Sequence, residues 1–229
     1  MRKLAFGKKP RSLASANLIA QLKLEGVEYR TIIDGGANVG QFARAAVAGF
    51  PSAVVHSFEP TPVVAQQLRE NMSGESQHRL HQVALGETCG SVEFQCNSDS
   101  QTSSVLGLKP GKSVHEDIAT NSVIDVPMTT LDRFADEEQP EGPLLLKLDL
   151  QGLELAALKG GSQQLVPMCH HVVVETVFEE LYDGEPLFHD IVSFMNEAGF
   201  SFVRPLAFLK DASGKIVQTD ALFRNQQTR

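Results

Sequence analysis

Short apolar runs ending in a carboxylate alternate with stretches of helical periodicity along most of this chain. Leu13, Ala16, Ile19, Ala20 and Leu22 recur at helical spacing, which predicts a helix over residues 12–25 that covers a sheet edge. Ile32-Ile33 forms a first strand stopping at Asp34, and Phe42, Ala45, Ala46 and Phe50 place a helix ahead of Pro51. Ala53 to Phe58 is a second strand ending at Glu59. Thr61 and Pro62 suit the N-cap and first turn of a helix carried on by Val63, Val64, Leu68 and Met72 to Gly74. Arg79–Leu85 is predicted as a single third strand, with Ser91–Gln95, alternating with period two, added antiparallel to it.

Between Asn97 and Asn121 the pattern dissolves into Ser, Thr, Asp and Gly. A polar connection that long inside a compact domain is usually functional, and residues 97–121 are expected to be a lid or acceptor segment. An extended stretch, Asp125–Thr130, and a short helix from Leu131 precede Leu144-Leu145-Leu146-Lys147-Leu148-Asp149, a run that suits a central parallel strand buried on both faces. A helix from Leu153 to Leu158 ends at Gly160-Gly161, and His170 to Glu175 is a fifth strand. Leu187, Ile191, Phe194, Met195 and Ala198 define a helix stopped by Gly199. Phe200–Arg204 and Asp220–Arg224 form a closing β-hairpin, where a dinucleotide dehydrogenase would continue with parallel strand–helix units. The alternation predicts a doubly wound α/β fold. Residues 1–30 are expected to be a basic end and covering helix, and residues 31–229 a single catalytic domain.

Composition narrows the function classes. At 229 residues the chain can bury one full core. A formal net charge of −8 argues against nucleic acid, whose affinity for proteins comes largely from Lys and Arg on phosphates. Arg2, Lys3, Lys8, Lys9 and Arg11 make a basic cluster that reads as a solvated end. Cys89, Cys96 and Cys169 are odd in number and lack metal-ligand spacing, so they read as reduced thiols of a cytoplasmic protein. No apolar run approaches a membrane span or the core of a secretion signal. A small-molecule or saccharide partner is expected, with the oligomeric state left open.

Candidate chemistry begins at the first strand–helix junction, Asp34-Gly35-Gly36-Ala37-Asn38-Val39-Gly40. Gly35 and Gly36 carry no Cβ, so the turn can be tight and a ligand can approach bare backbone. Asn38 is a residue type that tolerates positive φ, and Gly40 is expected to let the helix pack close to the strand. Roughly 25 residues on, Glu59 stands where a carboxylate can grip both ribose hydroxyls of a nucleotide-type ligand. The spacing departs from the dinucleotide G-x-G-x-x-G. It resembles the acidic-x-Gly-x-Gly-x-Gly loop of class I S-adenosylmethionine-dependent methyltransferases, with Asn38 in place of the middle glycine.

Phe58-Glu59-Pro60, Val83-Ala84-Leu85-Gly86, Thr130-Leu131-Asp132, Lys147-Leu148-Asp149-Leu150-Gln151-Gly152-Leu153-Glu154 and Asp220-Ala221-Leu222-Phe223 follow in order. With them the chain resembles the FkbM family of methyltransferases from about Thr31 to Phe223. The resemblance implies a Rossmann-like, seven-stranded, mostly parallel sheet with an antiparallel C-terminal strand. It implies S-adenosylmethionine as cofactor, held by Asp34, Gly35, Gly36, Asn38, Gly40, Glu59, Pro60, Ala84 and Leu85. It also implies methyl transfer, most often to a hydroxyl of a sugar, glycan or secondary metabolite. Ser103 and Ser104 match a serine-rich spot of the family, and His115 lies in the same polar segment; these three are the substrate candidates. The family usually has an acid where this chain has Gln151.

Asp34, Glu59, Asp149 and Glu175 all end predicted strands, the rim at which open α/β sheets bind ligands. Gathered there, like charges raise one another's proton affinity or recruit a cation. The catalytic candidates are Asp149 as general base for a hydroxyl, Glu154 one helical turn on, Glu175 on the neighbouring strand, and Lys147, which shares a face with Asp149 and can neutralise a carboxylate. Mg²⁺ held by these carboxylates is the alternative, disfavoured because Gln151 removes a negative charge. Two other functions compete with methyl transfer: S-adenosylmethionine binding without catalysis, and a nucleotide-dependent oxidoreductase.

Overall fold

The apolar run Leu144–Leu148 becomes β7, the middle strand of a seven-stranded sheet in the computed structural model, which describes residues 11–97, 103–106, 120–211 and 213–228. It pairs in parallel with β1 (Thr31–Gly35) on one side and β8 (Cys169–Val177) on the other. Beyond β1 lie β2 (Val54–Phe58) and β3 (His78–His81), both parallel. Beyond β8 the chain returns antiparallel as β10 (Ile216–Asn225), paired with β9 (Phe200–Lys210) at the edge. The order β3-β2-β1-β7-β8-β10-β9 is the class I methyltransferase sheet, as the resemblance implied.

Helices cover both faces, and neighbouring residues of each inner strand serve opposite cores. Ile32, Leu145, Val173 and Leu222 pack under α1 (Arg11–Lys23), α2 (Gln41–Gly49) and α3 (Pro62–Asn71). Ile33, Leu146, Val174 and Phe223 pack under α4 (Leu131–Glu138), α5 (Glu154–Lys159), α6 (Leu165–Met168) and α7 (Phe188–Glu197). Two-sided burial is why these strands read as unbroken apolar runs instead of alternating ones. Asn38 has φ 48, in keeping with its glycine-like position, and Gly199 ends the last helix at φ 85.

Several expectations need correction. Arg79–Leu85 is not one strand: β3 stops at His81, and Ala84–Leu85 forms β4 in a separate sheet. That second sheet has the order β4-β6-β5, with β6 (Thr120–Thr129) parallel to β4 and antiparallel to β5 (Gly90–Asn97). The predicted antiparallel addition therefore pairs with β6 and not with the third strand. Period-two alternation reports which face of a strand is buried, never which strand lies beside it. The four-residue α6 carries no periodic signal, and β9 and β10 extend well past the predicted hairpin.

The end of α1 is tied to the edge hairpin by charge. Glu25, with its side chain 4% exposed, receives Arg204 of β9 and Arg224 of β10 on its two oxygens. Behind them the Tyr29 hydroxyl meets His171 Nδ1 at 2.8 Å. Burial pushes the Glu25 carboxyl pKa up, but the two guanidiniums outweigh it and hold it below its ordinary value. The ionised form is thus favoured by folding, so this contribution is complete above the unfolded pKa of 4.5 and is lost as pH falls through the lower folded value. Glu25→Ala is expected to lose about 2 kcal/mol at neutral pH in urea unfolding, and less at an acidic pH below 4.5. Equal losses at both pH values would remove charge as the cause.

Candidate functional site

The ends of β1, β7, β8 and β10 bring Asp34, Asp149, Glu175 and Asp220 to one rim, with Lys147 among them. Lys147 lies opposite Asp34 in the parallel register. Its Nζ stands 3.1 Å from Asp34 Oδ1 and 3.5 Å from Asp149 Oδ2, and donates to the Gly35 carbonyl at 3.3 Å. Asp34 is fully enclosed and neither of its oxygens has a well-aligned hydrogen-bond donor, so the ammonium is its compensation. Burial raises the Asp34 pKa and Lys147 opposes that rise. For Lys147 burial acts downward, while Asp34 and Asp149 overcome it and shift the pKa up. Lys147 therefore pairs with two carboxylates, Asp34 and Asp149.

The glycine loop is organised by backbone packing. Gly36 has φ +74, and a Cβ there would sit 1.8 Å from the backbone oxygen of Asp149. Gly40, at φ +90, makes room for Leu68 of α3, 2.5 Å from where its Cβ would be; the close packing expected against the strand is made against a helix. Glu59 is 7% exposed: its Oε2 accepts from Asn38 N at 3.1 Å, and its Oε1 accepts from the Thr61 amide and hydroxyl. Three of a carboxylate's roughly four acceptor positions are thereby taken. Burial raises the Glu59 pKa against these three bonds.

A cleft of 990 Å³ opens over the rim. Gly36, Asn38, Glu59, Pro60, Ala84, Leu85, Lys147, Asp149 and Glu175 line it, whereas Asp34, Gly35 and Gly40 lie beneath its wall. Glu154 does not reach the cleft. Its Oε1 accepts from Leu150 N at 2.6 Å and its Oε2 from Gly152 N at 3.0 Å, and burial raises its pKa to about 7. It braces the loop after β7, where Gln151 has φ 53 and Gly152 φ 103. Ser103 lines the cleft and accepts from Asn97 N, while Ser104 is fully buried, its hydroxyl donating to the Gln151 carbonyl at 2.6 Å. His115 falls outside the described residues.

Sequence reasoning missed three residues here. Gln151, noted only as a departure, sends its amide between Asp149 and Glu175. Asp220 lies opposite Glu175 in the antiparallel register, and burial together with Asp149 raises its pKa to about 6. Its segment, Asp220-Ala221-Leu222-Phe223, carries part of the family resemblance, which is the available signal. Tyr182, on the cleft wall, sits in an acidic stretch without periodicity, and nothing marked it. Among the described residues no three His, Cys, Asp or Glu side chains converge to hold a metal ion.

Residues 34–202 match a family model described as the methyltransferase FkbM domain. The chain is 30% identical over 161 residues to the 2-O-methyltransferase NoeI of Sinorhizobium fredii, covering 67% of this chain and 66% of that protein. It is 26% identical over 204 residues to the 31-O-demethyl-FK506 methyltransferase FkbM of Streptomyces tacrolimicus, covering 78% and 76%. A solved structure from Klebsiella pneumoniae, described as an O-methyltransferase, is similar with a TM-score of 0.54 at 12% identity, over 96% of this chain and 83% of that one. At that identity the likeness shows the fold.

The contact at Gly36 yields a paired test. Gly36→Ala is expected to lose more than about 3 kcal/mol, because a backbone carbonyl has to move. Gly26→Ala, also at positive φ (+70) but with nothing within 4 Å of the new Cβ, should lose only about 1 kcal/mol. Equal losses in thermal unfolding would show that backbone conformation alone accounts for both.

Proposed function

The chain belongs to the FkbM family of S-adenosylmethionine-dependent methyltransferases, and from that premise we propose that it methylates a hydroxyl of a sugar, glycan or secondary metabolite, with Asp149 as general base. The position of Asp149 carries this reading. Its side chain is 34% exposed in the cleft, while Asp34 is enclosed and Glu154 is committed to backbone amides. Its backbone oxygen touches the glycine loop, so the base stands next to the cofactor-type turn.

S-adenosylmethionine supplies, when bound, an electrophilic methyl group on a sulfonium centre that leaves as a neutral thioether. The rim suits such a ligand, because carboxylates outnumber the Lys147 ammonium and positive charge is what they lack. The backbone from Gly36 to Asn38, with Glu59, Pro60, Ala84 and Leu85, would hold it. Asp149 takes the acceptor's hydroxyl proton, and Lys147, 3.5 Å away, keeps that carboxylate in place. The names of the two relatives both put a methyl group on oxygen, which supports a hydroxyl acceptor. Ser103 on the cleft wall supports an acceptor contact at that side of the cleft, while most of the expected cover, residues 98–102 and 107–119, lies outside the described residues.

Calorimetric titration should show binding of S-adenosylmethionine and S-adenosylhomocysteine and none of NAD. Glu59→Gln places an amide against the Asn38 N–H and is expected to weaken S-adenosylhomocysteine at least tenfold. Unchanged affinity would take Glu59 out of the site. Given an acceptor from a screen with labelled donor, starting with sugars, Asp149→Asn should lower kcat about 100-fold or more, with wild-type activity retained in EDTA. Activity restored only by Mg²⁺ would overturn the metal-free base.

A further inference from the structure

Gln151 makes three side-chain hydrogen bonds in different directions. Its Nε2 donates to Asp149 Oδ1 at 2.7 Å and to Glu175 Oε2 at 2.8 Å, and its Oε1 accepts from the Tyr182 hydroxyl at 2.8 Å. The carboxylate of Asp149 can only accept, so the NH₂ end must face the acids and the carbonyl end the phenol. The backbone beneath is held as firmly. Glu154 takes the Leu150 and Gly152 amides, and Ser104 donates to the Gln151 carbonyl. The amide is therefore aimed before any ligand arrives.

We propose that Gln151 is a positioning residue: its amide donates to both acids at once and fixes Asp149 and Glu175 relative to each other, so that Asp149 faces the acceptor as the base. The inference rests on reading Asp149 as that base. The two acids have unequal surroundings. Asp149 has the Lys147 ammonium 3.5 Å from its other oxygen, Oδ2. Glu175 is faced by Lys147 from β7, Asp149 just past its end, Glu154 from α5, Tyr182 from the segment after β8 and Asp220 from β10. Burial first, then Asp149, Asp220 and Glu154, push its pKa well above the ordinary carboxylate range. An acid at position 151 would remove the shared donor and set a third negative charge between the two.

The test follows the titration of Glu175 directly and needs no acceptor. Glutamate carboxyl carbons are labelled with ¹³C in the full chain and titrated by NMR, and the signal lost in Glu175→Gln identifies the residue apart from Glu154. Removing a donor to the ionised form should raise the Glu175 midpoint by about one pH unit in Gln151→Ala, and further in Gln151→Glu, where a negative charge is added. A side chain that only fills space would leave that midpoint where it was. Gln151→Glu is close to isosteric, so a folded variant is at hand even where the alanine variant fails to fold. A Glu175 midpoint unmoved in the folded variants overturns the clamp while the base reading stands. Full turnover by Asp149→Asn overturns the base reading and, with it, the purpose assigned to the clamp.

Discussion

One ammonium among several carboxylates sets the arrangement of this rim. Lys147 spans Asp34 and Asp149, and among the described residues no other cation pairs with Glu154, Glu175 or Asp220. A buried carboxylate without compensation is strongly destabilising, so each is given another remedy. Glu154 takes two backbone amides, Glu175 shares a side-chain amide with Asp149, and the acids left over hold their protons more tightly. Glu59, farther along the rim, takes donors from Asn38 and Thr61. What remains facing the cleft is a surface rich in acceptors, suited to a ligand that brings donors or positive charge.

The same division of roles separates architecture from chemistry. Glu154 and Ser104 stand in segments that also carry site residues, yet both are spent on shaping the loop after β7. Without that brace the left-handed pair at Gln151 and Gly152 would have little to hold it. Family resemblance marks such positions and reactive ones alike, and hydrogen-bond partners tell them apart.

Much of the fold was legible because burial leaves a periodic trace. The leucines of β7, the adjacent isoleucines of β1 and the valines of β8 each feed two cores, and a run without polar alternation says so directly. Asn38 and the strand-end carboxylates were legible because backbone conformation and sheet ends restrict residue type. The split between β3 and β4 was not, since partner choice depends on chain segments far away in sequence. Nor was the bridge at Gln151: an amide between two acids needs a particular φ, a phenol some 30 residues on and a strand neighbour, none of which has a local pattern.

At Gly36 a backbone oxygen occupies the place where a side chain would begin. Side chains absorb displacement by changing rotamer; a carbonyl at the end of a packed strand has no such slack. The glycine turn and the residue that carries the Asp149 carboxylate are therefore fitted backbone to backbone, and any side chain added at position 36 would displace that residue directly.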